Sequence, residues 1–98
     1  MQTKLPKKLK TRGYQPLTRN VRLNVELLGR SGVPIYKKIY TNVKTYLSSR
    51  HIIEQLPIFL AVGIKKINDT FFYVIHLVFE KGNEEHYVPI PERYLVFN

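Results

Sequence analysis

The sequence predicts an α+β domain: a small curved antiparallel sheet, able to close into a barrel, with one helix in the order ββαβββ, preceded by a basic disordered arm. Three observations lead there. Positive charge is concentrated at one end, strict apolar alternation begins at Val21, and one stretch of helical period interrupts runs rich in β-branched and aromatic residues.

The first twenty residues, MQTKLPKKLKTRGYQPLTRN, contain Pro6, Gly13 and Pro16, few apolar positions and mutually repelling lysines, which predicts a flexible arm over 1–20 and a domain over 21–98. Lys4, Lys7, Lys8, Lys10, Arg12, Arg19 and Arg22 meet no acid before Glu26, so most of the net charge of +9 belongs to this end. From Val21, the residues Val21, Leu23, Val25 and Leu27 alternate with Arg22, Asn24 and Glu26, as in a half-buried strand. Gly29-Arg30-Ser31-Gly32 then reads as a turn and Ile35–Val43 as a second strand, together a hairpin. Between Lys44 and Leu56 the period changes: Tyr46, Ser49, Ile52, Ile53 and Leu56 share one face of a helix that Thr45 or Ser48 caps and Pro57 ends. Asn68-Asp69 and Lys81-Gly82-Asn83 divide the remainder into three strands, Ile58–Ile67, Thr70–Glu80 and Glu84–Ile90. The middle one is apolar on both faces and is expected inside the sheet, whereas Pro89 and Pro91 put the last at an edge. The apolar Tyr94–Phe97 is expected to dock on the domain or on a second subunit, in the latter case as a homo-oligomer.

A chain of 98 residues holds one core, and without Cys that core relies on packing and hydrogen bonds. The basic start lacks the apolar stretch of a signal peptide, and the longest apolar run, Ile58–Ile64, is too short to span a bilayer, so a cytoplasmic protein without a membrane partner is expected.

Catalytic signals are sparse, and no enzyme is expected. Asp69 falls in a turn, Ser48 and Ser49 at a helix start, and His76 on the middle strand without a neighbouring acid. The pairs His51 with Glu54 and Glu84-Glu85 with His86 supply too few ligands to hold zinc, and Gly29, Gly32 and Gly63 form no phosphate-cradling motif, so neither metal nor cofactor is expected.

Three features point to nucleic acid. The acid-free arm can exchange counterions for Lys and Arg along phosphates. On the expected strand Ile35–Thr41, alternation sets Tyr36, Lys38 and Tyr40 opposite Ile35 and Ile39, a stripe suited to stacking unpaired bases. Arg30 stands at the expected hairpin tip, and Lys65 and Lys66 extend the basic surface. The expected function is binding of DNA or RNA with low sequence specificity, single strands slightly favoured. The alternatives are a structural or assembly component of a ribonucleoprotein or phage-type particle, and a small basic toxin-like ribonuclease using His51 or His86.

Overall fold

The computed structural model describes residues 5–49, 58–79 and 84–97. Its centre is a curled, half-barrel antiparallel sheet of five strands in the order β4-β3-β2-β1-β5. The elements are α1 (Lys7–Thr11), β1 (Gln15–Leu23), α2 (Val25–Arg30), α3 (Pro34–Ser49), β2 (Ile58–Ile67), β3 (Thr70–Phe79), β4 (Glu84–Pro91) and, after a 3-10 turn at Glu92–Tyr94, β5 (Leu95–Val96).

The β2–β4 meander follows the sequence reading. Asn68 and Asp69 both have positive φ, 48° and 65°, between the paired Ile67 and Thr70, a two-residue turn whose twist suits a hairpin. β3 lies between β2 and β4, and the proline-bearing β4 forms one edge. The segment Tyr94–Phe97 docks on its own domain: β5 pairs Leu95 with Leu23, and the Phe97 ring packs against Tyr73 at 5.2 Å.

The first half differs in two ways. No hairpin follows Val21, because β1 ends at Leu23 and the chain turns into α2. Asn24 caps that helix, its side chain accepting from Leu27 N, and Val25 and Leu28, three apart, are buried. The expected strand Ile35–Val43 is instead the first half of α3, which opens on Pro34, a residue whose fixed φ suits a first helical turn. Tyr36, Ile39, Tyr40 and Val43 are spaced i, i+3, i+4, i+7 and face the core together. Lys44–Ser49, the first part of the expected helix, is thus the end of a longer one. Thr45 is interior, its hydroxyl donating to Thr41 O at 2.9 Å, and residues 50–56 lie outside the described residues.

The second correction concerns the arm. Residues 5–20 form α1 and most of β1 rather than a flexible tail, with Leu5, Leu9 and Tyr14 buried. Leu5 and Leu9, one turn apart, rest on Val62 and Val74. The helix stops at Gly13, φ 94°, where Gly13 N donates to Lys10 O and Tyr14 N to Leu9 O. That is a Schellman ending, and its hydrophobic contact is Leu9 with Tyr14.

The sheet is therefore covered on both sides. Val25, Leu28, Ile39 and Val43 of α2 and α3 join Val21, Leu23, Tyr73, Ile75, Leu77, Phe79, Val88 and Ile90 in the main core. On the other, outer face, α1 covers Val62 and Val74. Ala61 and Val62 fall in opposite clusters by strand alternation, and the register shift between Ala61 and Gly63 sets both Val62 and Gly63 toward the outer cluster, where Leu5 lies over Gly63.

Candidate nucleic-acid interface

With Leu5 before the helix and Leu9 within it turned to the sheet, the rest of α1 faces solvent. Lys7, Lys8, Lys10 and Arg12 are exposed, and no carboxylate among the described residues pairs with them. Lys65 on β2 joins this group: its ammonium donates to Arg12 O and lies 5.6 Å from the centre of the Tyr14 ring. A cation at the last carbonyls of a helix is favourably placed, so Lys65 also stabilises the end of α1.

Beside α1 on the outer face are aromatic rings. Cross-strand register sets Tyr87 opposite His76 and His76 opposite Leu60, while Pro89 is opposite Val74 beneath α1. The Tyr87 and His76 rings lie 4.9 Å apart at 32°, and Glu85 Oε1 accepts from His76 Nε2 at 2.6 Å and from the Tyr87 hydroxyl at 3.0 Å. Those bonds hold the Glu85 carboxyl below its ordinary pKa, His76 contributing most, while burial and then Glu85 raise that of the Tyr87 phenol. Successive outward positions on β4 are Glu85, Tyr87 and Pro89, so the carboxylate stands beyond the ring pair from α1.

The other expected contact residues are dispersed. Tyr36 and Tyr40 are half-buried against the main core rather than forming a strand stripe: Tyr36 OH donates to Pro89 O at 3.2 Å, its ring meets Tyr94 at 5.5 Å, and burial raises its pKa. Ile39 is buried as expected, and Ile35 is half-buried. Lys38 is tied to Glu84 at 3.4 Å and lies over the Phe79 ring, so the stripe Tyr36–Lys38–Tyr40 does not exist as a stacking surface. Arg19 lies over Phe97 at 4.5 Å on the main-core side. Lys66, opposite Phe71, pairs with Asp69 at 3.9 Å. Arg22 pairs with Ile58 and Val96, and Arg30 sits in the last turn of α2 rather than at a hairpin tip. Lys4 lies outside the described residues.

Sequence reasoning passed over His76, Glu85 and Tyr87 as a group because they meet only through the β3–β4 register. The other histidine pairings lead elsewhere. His86 donates to Glu84 Oε2 at 3.2 Å and packs on Phe79, on the opposite face of β4 from Glu85, and His51 with Glu54 lies outside the described residues. Among the described residues no cluster of His, Asp and Glu could hold a metal, and no helix is long and apolar enough to cross a membrane.

Compared with protein families, with curated proteins and with solved structures, the chain gives no match in any of the three.

Proposed function

We propose that this protein binds nucleic acid with low sequence specificity through phosphate contacts from Lys7, Lys8, Lys10, Arg12 and Lys65. The observation that carries this reading is that the N-terminal segment lays Leu5 and the α1 residue Leu9 on the sheet and turns its cations to solvent, in a stretch without an acid before Glu26. Anchored side chains of one sign make a local positive field, and phosphates answer it without regard to base identity. Flexible lysine stems fit that role, because each ammonium is a point charge able to follow a backbone. The arm of the sequence reading thus becomes a docked ridge.

The test is a fluorescence titration of DNA and RNA, single- and double-stranded, across salt concentration, with the variant Lys7→Gln/Lys8→Gln/Lys10→Gln beside the native chain. Each lost phosphate contact lowers the slope of log affinity against log salt by about 0.7–0.9, so the variant should be shallower by roughly two units or more. A native protein without salt-dependent binding, or a variant of unchanged slope, would refute the reading.

A further inference from the structure

We propose that the Tyr87–His76 pair is a stacking platform for an unpaired base, which makes single-stranded DNA or RNA the substrate class of this surface; the inference rests on the nucleic-acid reading above. Two observations select it. The rings are neighbours across β3 and β4, 4.9 Å apart, and are fixed by hydrogen bonds to the same Glu85 oxygen, so a base would meet an ordered aromatic surface. Tyr87 also packs against the outer cluster of Leu5, Leu9, Tyr14, Val62 and Val74, the one that α1 covers, which puts it on the same face as the cationic helix.

The two chemistries are therefore adjacent. A strand whose phosphates lie on Lys7, Lys8, Lys10 or Arg12 has its sugars and bases directed over the neighbouring sheet, where both rings are half-buried and keep accessible surface. Base stacking on such rings is independent of sequence, in keeping with the low specificity of phosphate binding. The Glu85 carboxylate lies beyond the rings from α1, so its charge disfavours phosphate on the far side and directs the backbone to the helix. Duplex DNA keeps its bases stacked inside and can use only the cations.

The experiment measures the affinity of a fluorescein-labelled oligothymidylate and of a duplex of equal length for the native chain, Tyr87→Leu and Tyr87→Phe, with circular dichroism as the check on folding. Tyr87→Leu should lose on the order of tenfold on the single strand and nothing on the duplex, and Tyr87→Phe, which keeps the ring but not its bond to Glu85, should lose less than Tyr87→Leu on the single strand. Photocrosslinking of native protein to a strand carrying 5-iodouracil gives an answer independent of any variant's stability: the adduct should map to Tyr87 or His76. Equal losses on both substrates, or adducts confined to α1, would overturn the platform and leave the charge reading standing. Absence of salt-dependent binding by native protein would overturn both.

Discussion

Leu5 lies directly over Gly63, so closely that a Cβ at residue 63 would come within 2.6 Å of Leu5 Cδ1 and 3.3 Å of Gln15 O. The glycine is a seat for the N-terminal segment, and Gly63→Ala must displace the leucine. The expected cost is about 1–3 kcal/mol of stability, the usual range for overpacking. Amide exchange should show Leu9 and Tyr14 losing protection while β3 keeps it, and the salt slope of nucleic-acid binding should fall with them.

Gly29 and Gly32 should respond differently to alanine. At Gly29 a Cβ would meet the Tyr40 ring at 2.9 Å, whereas at Gly32 nothing lies within 4 Å but φ is +81°. Gly29→Ala should therefore destabilise through a clash that Tyr40→Leu relieves, giving a favourable coupling in a double-mutant cycle by urea unfolding. Gly32→Ala should cost about 1 kcal/mol irrespective of residue 40, and Gly32→Asn less, since asparagine tolerates that conformation.

Acid should loosen the β4 edge. Glu84 is held below its ordinary value of 4.5 by His86 and then Lys38, and Glu85 by His76 and then Tyr87. A depressed folded-state pKa means that the contribution is complete above the unfolded value and disappears as pH falls through the folded one. Thermal midpoints should thus fall below pH 4.5, and the variant Glu84→Gln/Glu85→Gln should show a flatter decline over the same interval.

Removing residues 1–20 should unfold the protein rather than leave a competent domain. The deletion takes most of β1 and the Leu5, Leu9 and Tyr14 cluster. Far-ultraviolet circular dichroism should show loss of the cooperative transition, whereas a shorter deletion of residues 1–4 should preserve it.

The meander was legible because its signals are local: Asn68-Asp69 makes its own turn, and the near-continuous apolar run of β3 is read from neighbouring residues. The stretch Ile35–Val43 misled because apolar residues and tyrosines there satisfy a period of two as well as one of 3.6. Pro34 and the spacing Tyr36, Ile39, Tyr40, Val43 favour the helix, and packing on the sheet decides it. Ile39→Ala should accordingly cost about 2–5 kcal/mol and Lys37→Ala less than about 0.5 in urea unfolding. The N-terminal residues resemble a disordered tail in composition, yet Leu9, Gly13 and Tyr14 spell a helix ending whose value depends on Val62 and Val74, far along the chain. Of the candidate site, the cations could be identified by counting charges. Which of them share a surface, and that Tyr87 and His76 stand beside them, depends on strand register.

The placement of β1 between β2 and β5 has a consequence for synthesis on the ribosome. α1 and β1 emerge before their partners: α1 waits for Val62 and Val74, and the edge of β1 waits for Leu95 and Val96. A nascent chain arrested before β3 holds its basic ridge without a sheet to carry it, surrounded by ribosomal RNA. Native assembly is thereby deferred until β5 has cleared the exit tunnel and can close on a strand made well before it.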